Sequence, residues 1–223
     1  MHVWQADLIA AAVTAIIAAI KGLVAAIAAG GWIAVVVILI ICLIALVVGS
    51  VYSIFFSSDP DPVTGMSING VIMEIDAEYA DKIDEIITAN AHDILDISGA
   101  QAEWKQVLAV YTVKTVTDPD NPIEVATMDD TKAAILRNIF WDMNTISYIT
   151  ETIEIDEDIL DEDGNPTGET VTVEKTILCI TVTHKTLVEI SAQYGFTAEQ
   201  KDWLDELLKP KYDGLWDALL YSI

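Results

Sequence analysis

The chain has 223 residues, 53% of them hydrophobic, and its 35 acidic residues against 11 basic ones give a formal net charge of −24. Asp7 and Lys21 are the only charged residues before Asp59, so the whole imbalance lies beyond that point. A part this acidic repels nucleic acid phosphates and anionic headgroups, which excludes direct DNA or RNA binding by it. Its two cysteines, Cys42 and Cys179, exclude a disulfide-stapled module.

In chain order, Ile9, Val13, Ile16, Ile20, Leu23 and Ile27 repeat at spacings of four and three, a helical stripe whose other face is alanine. Residues 1–31 therefore read as a membrane-associated helix, with two alternatives: a second span turning at Gly30 and Gly31, or a helix packing on its own copies. From Trp32 to Phe56 the sequence is almost continuously Ile, Val, Leu and Phe without a charge. Residues 32–56 thus read as a transmembrane helix, since Trp32 to Ser50 alone would rise about 29 Å, close to the hydrocarbon thickness. Lys21 before the run and acidic residues after it predict a single-pass protein of the cell membrane, N-terminus in the cytoplasm and C-terminal domain outside. Asp59-Pro60-Asp61-Pro62 predicts a stiff linker over 57–67.

Residues 68–223 predict one extracytoplasmic α+β domain of several helices and a long two-stranded β-hairpin. A first helix is predicted from about Ile68 to Ala89, then a short extended piece at Ile94 to Ile97, then a second helix from Ala102 to Val116. Asp129 or Asp130 supplies an N-cap for a third helix through Met143. Two strands, Thr145 to Ile155 and Thr170 to Thr183, are joined by a long tip over Asp156 to Glu169 that contains Asp163-Gly164-Asn165-Pro166. In the second strand the apolar phase changes from Val171, Val173 and Ile177 to Leu178, Ile180 and Val182. That change predicts either a bulge near Thr176 or burial on both faces of the second half. A helix from His184 or Lys185 stops at Gly195, Thr197 to Gln200 forms a capping box for a helix through Leu208, and Tyr212 to Tyr221 is a last short helix.

Candidate chemistry is sparse. Cys179 lies within a strand five residues before His184, and a thiolate nucleophile needs a helix start and an activating base, so a small buried residue fits better than catalysis. His2, His92 and His184 fall in separate regions, none in a zinc-binding spacing, and His92-Asp93 reads as a turn between helices. Glu103, beside Trp104 at a helix start, is the leading candidate for a general acid, although a carboxylate favoured by the helix dipole explains it as well. Asp156, Asp158, Asp161 and Asp163 offer oxygen ligands that suit calcium, yet the EF-hand register fails because Asp161 and Thr167 stand where Gly and Glu are required. The expectation from the residues is no enzyme, with no catalytic, cofactor-binding or metal-binding residue assigned and no cofactor required.

The run Gly22 to Trp32 leading into Ile33 to Ile44 resembles the membrane-anchor region of cell-wall (peptidoglycan) hydrolases from Gram-positive integrative conjugative elements. The stretches VLAVYTVKTVTDPDNPIEVATMDD, IFWDMN, ITVTHKT, QYGFTAEQ and LWDALLYSI look like the juxtamembrane domain of the same proteins. In that family a cysteine or zinc peptidase module follows this domain, and no position here matches the motifs of either. The resemblance implies a non-catalytic anchor and spacer or docking domain that positions a peptidoglycan hydrolase at a type IV secretion channel. It implies the lipid bilayer, other conjugation-machine proteins and the cell wall as partners, with a homo-oligomer open. The alternative is a structural bitopic scaffold subunit of the secretion machine.

Overall fold

The computed structural model describes residues 32–160, 164 and 166–221. The helix expected over the first 31 residues, His2, and the tip acids Asp161 and Asp163 lie outside the described residues. The chain divides into two compact units, Met1–Gly49 and Ser50–Ile223.

In the first unit, helix α1 spans Trp32–Val48. Of its described apolar side chains, Ile38 is half-buried and the others are exposed, from Val36 at 39% to Leu46 at 71%. The helix ends eight residues short of the expected span, because Gly49 and Ser50 break it and Val51–Phe56 turns into a 3₁₀ helix. The Ser50 hydroxyl accepts from the Tyr52 N–H, and Val51 and Ile54 are buried in the core of the second unit. Those side chains are satisfied by protein. At 1.5 Å per residue the remaining 17 residues rise only about 26 Å. Among the described residues no helix is long and apolar enough to cross a membrane, which overturns the single-pass membrane localisation and the orientation derived from it.

The second unit is α+β. Helix α2 spans Ile68–Ala89, with the Ser67 hydroxyl accepting from the Gly70 N–H at 3.1 Å. Strand β1 is Ile94–Gly99, helix α3 Trp104–Val116 and helix α4 Asp130–Met143, the last capped by Asp129 as its sequence predicts. Strands β2, Asn144–Leu160, and β3, Pro166–His184, follow, then α5 Leu187–Gln193, α6 Ala198–Leu207 and α7 Asp213–Tyr221. Helix α5 starts later than expected because Thr186 and Glu189 form a capping box there. Gly195, at φ +66°, follows its C-terminus, where the sequence places a left-handed residue.

Helix α3 is the hub. Seven consecutive residues from Val107 to Val113 are buried, so it shows no polar face, and α4, α5, α6, α7 and the 3₁₀ turn pack around it. The 3₁₀ turn brings Phe55 against Trp216, ring centroids 4.8 Å apart and near perpendicular, and Tyr52 against Trp203.

The sheet has three strands in the order β1-β3-β2, so the expected two-stranded hairpin acquires a third, parallel partner. Gly99 ends β1 at φ +83°, and a Cβ there would lie 1.9 Å from the Val182 carbonyl oxygen. Only glycine tolerates that approach. The hairpin register is unbroken from Asn144–His184 to Asp158–Thr170, with a shift only between Asp158 and Leu160. No bulge therefore sits at Thr176. The strands also extend into the expected tip, with pairing through Leu160 and Pro166.

The change of apolar phase has a different cause: Leu178, Ile180 and Val182 are buried on one sheet face, whereas Val171, Val173 and Ile177 fall on the other. On the tip side of Ile177, before β1 begins at Ile94, β2 and β3 form a two-stranded ribbon.

Candidate functional site

Glu103 and Trp104 open helix α3 at the rim of an open cleft of about 520 Å³. Asp213, Asp217, Trp216 and Tyr221 from α7 line its other side. The Lys105 ammonium pairs with Asp213 at 2.5 Å, tying the two walls together. The Glu103 side chain makes no cap hydrogen bond, although its place at the helix start favours its charge. Trp104 is fixed from behind. Its indole N–H points at the Asp76 carboxylate, 3.1 and 3.2 Å from the two oxygens, and its ring stacks on Phe140 at 5.1 Å. The cleft is therefore an ordered acidic and aromatic surface.

Cys179 and His184 are not brought together. Side chains alternate along β3, so Cys179 shares a face with Ile177 and His184 shares the opposite one with Val182. Burial, then the carboxylates of Asp96 and Glu151, push the Cys179 thiol up from its ordinary value, the reverse of what a thiolate nucleophile requires. His184 bonds through Nδ1 to the Ala100 carbonyl at 2.9 Å, and His92 through Nδ1 to the Asn90 carbonyl at 2.7 Å. Asp93 grips Thr176, its N–H donating to the Thr176 carbonyl and its Oδ2 accepting from the Thr176 N–H, both at 2.8 Å. Among the described residues no three His, Cys, Asp or Glu side chains converge as a metal site would require.

The 3₁₀ turn carries a polar chain at its rim. The Tyr212 hydroxyl lies 3.1 Å from Glu206 Oε1 and 3.3 Å from the Tyr52 hydroxyl, so it donates to the carboxylate and accepts from Tyr52. That bond, then burial, push Tyr52 up to about 12. Lys209 and Lys211 both reach Glu206 and hold its carboxyl down at about 2.

Strand β2 extends about 56 Å, and its part past Glu151, roughly 30 Å long, forms the ribbon with β3. Its two faces differ. One carries Ile149, Ile153 and Ile155 of β2, in register with Cys179, Lys175 and Val173 of β3. The other carries Glu154, Asp156 and Asp158, in register with Glu174, Thr172 and Thr170. Lys175 pairs with Glu157 at 2.9 Å on the apolar face, reaching past the Ile155–Val173 pair that lies between them in the register. Ile149 is 56% exposed and Val171 47%, and among the described residues none on the tip side of the Glu151–Ile177 pair is buried.

Two polar clamps escaped the sequence. Lys132 is 4% exposed, with its ammonium bonded to Glu124, to the Thr127 hydroxyl and to the Thr127 carbonyl. Burial raises the Glu124 carboxyl, but the Lys132 and Thr127 bonds outweigh it and hold the group below its ordinary value. Asn144, also buried, accepts from the Ala102 N–H at 2.7 Å and donates to the Phe140 carbonyl at 2.8 Å, joining the starts of α3 and β2. Helix periodicity could have flagged Lys132, which falls on the stripe of Leu136, Ile139 and Phe140.

Compared with known protein families, curated proteins and solved structures, the chain matches none.

Proposed function

We propose that Ser50–Ile223 is a non-catalytic docking domain of a conjugation-associated peptidoglycan hydrolase system, which holds the hydrolase beside a type IV secretion channel. The observation that carries docking is the ribbon: an ordered hairpin, fixed to the core at one end, that carries an apolar stripe with no partner among the described residues. A two-stranded ribbon is marginal alone, and covering one apolar face is the usual remedy. The system to which it docks is supplied by the sequence resemblance. The reading assigns no reaction centre to the chain, and Glu103 acts by favouring the start of α3.

A second reading, a structural scaffold subunit of the same machine, is favoured by α1, whose described apolar side chains are mostly exposed and suit packing against neighbours.

A photo-crosslinking residue placed at Ile155 in cells carrying the element tests docking. Cross-links to a wall hydrolase or to channel subunits are expected, the hydrolase favouring the first reading and channel subunits alone the second. Absence of any cross-link from the ribbon overturns docking. A clearing band when the purified chain is run through a peptidoglycan gel overturns the non-catalytic assignment.

A further inference from the structure

Strand β2 bonds to β3 along one edge, and among the described residues no strand lies along the other. Residues 144–160 contain no lysine and no proline, and the only irregularity comes after Asp158. Proteins ordinarily protect long edges with lysine, proline or a bulge, because a row of free N–H and C=O groups invites another strand. This edge carries carboxylates instead: Glu151 and Glu157 interrupt the isoleucine face, Glu157 paired there with Lys175, and the other face carries three acids in a row. Ile149, Ile153 and Ile155 point to one side, Glu154, Asp156 and Asp158 to the other.

From this edge we infer that β2 accepts an extended segment of a partner protein in which apolar residues alternate with lysine or arginine. An added strand continues the pleat, so its alternate side chains fall on the same two faces as those of β2. Its apolar residues extend the Ile149, Ile153 and Ile155 stripe while its basic residues meet Glu154, Asp156 and Asp158. Charge selects this occupant over a second copy. Two-fold pairing of β2 with its copy about Ile155 would set Glu154 against Asp156 on an already acidic chain, and like charges directly opposite destabilise a ladder. This partner chemistry rests on the docking reading above and specifies the edge by which it operates.

The test uses the full chain in mild detergent, which covers the exposed side chains of α1. A fluorescent peptide alternating valine and lysine is compared with a block peptide of the same composition and with an alternating peptide N-methylated along one edge. The alternating peptide is expected to bind at least about tenfold more tightly than either control, since only it offers both the period and the ladder donors. Raising salt from roughly 50 mM to roughly 500 mM should weaken it. The combined substitution Glu154→Gln, Asp156→Asn, Asp158→Asn should weaken it by about tenfold and flatten the salt response, the three sites being exposed and tolerant of the change.

Equal binding of the block peptide would overturn the inference by reducing it to bulk charge, as would no binding at all. Dimerisation of the chain through β2 would overturn it by making a second copy the occupant. Persistent cross-links from Ile155 alongside failure of the peptide would remove the edge mode and leave docking standing. Loss of the cross-links with intact peptide binding would overturn docking in the conjugation system and leave the strand-accepting edge standing.

Discussion

Asp93 holds Thr176 at both ends of its residue, by a backbone bond to its carbonyl and a side-chain bond to its N–H, each 2.8 Å long. Thr176 is the last β3 residue before the parallel ladder begins at Ile177, and the clamp fixes where three strands become two. The aspartate that sequence reading assigned to a turn beside His92 thus sets the root of the ribbon. Replacing Asp93 with Ala should lower stability by about 1–2 kcal/mol, the usual loss when a bond to a charged acceptor is removed, with Asn retaining part of it. Urea unfolding measures the loss, and faster amide exchange confined to β1 should accompany it. Unchanged exchange in β1 would contradict the clamp.

Lys132 and Glu124 form an ion pair with one side buried, so the pair should be strongly non-additive. Lys132→Met should cost about 3 kcal/mol by stranding a half-buried carboxylate, and adding Glu124→Gln should recover much of it. A thermal-unfolding double-mutant cycle reads the coupling. Simple additivity would show that the two groups act separately.

Tyr111 is fully buried and its hydroxyl has no hydrogen-bond partner, while burial pushes its pKa upward. Tyr111→Phe should therefore stabilise the domain by about 1 kcal/mol, the reverse of the usual effect of trimming a core residue. A fall in Tm would mean that the hydroxyl is bonded in solution.

Glu206 links pH to the packing of the 3₁₀ turn. Its carboxyl sits at about 2 in the fold against an ordinary 4.5, so its contribution is complete above 4.5 and is lost as pH falls toward 2. Glu206→Gln should flatten the acid limb of stability between those values without altering the profile near neutrality. Denaturant midpoints measured across the range decide it, and parallel acid limbs would refute it.

The element boundaries legible in the sequence were those set by local chemistry. Helix α2, the Asp129 cap of α4 and the Thr197 capping box all lie where short-range hydrogen bonding places them. The change of phase in β3 was legible too, though its cause was not. A bulge and a switch of buried face give the same sequence, and they separate only when the register and the third strand are known. Likewise, spacing leaves Cys179 and His184 close in sequence, whereas strand alternation sets them on opposite faces.

By itself the sequence determined the α+β class, the hairpin, the uneven distribution of charge and the absence of a recognised catalytic motif. All of these follow from composition and from periods of 2 or 3.6 residues. Tertiary structure alone decided where the apolar run ends, because Val51 and Ile54 are as hydrophobic in a core as in a bilayer and hydropathy does not distinguish the two. It also decided that Ile94–Gly99 joins β3 and that, among the described residues, no strand lies along one edge of β2. Strand pairing depends on contacts between residues more than eighty positions apart, which no local pattern records.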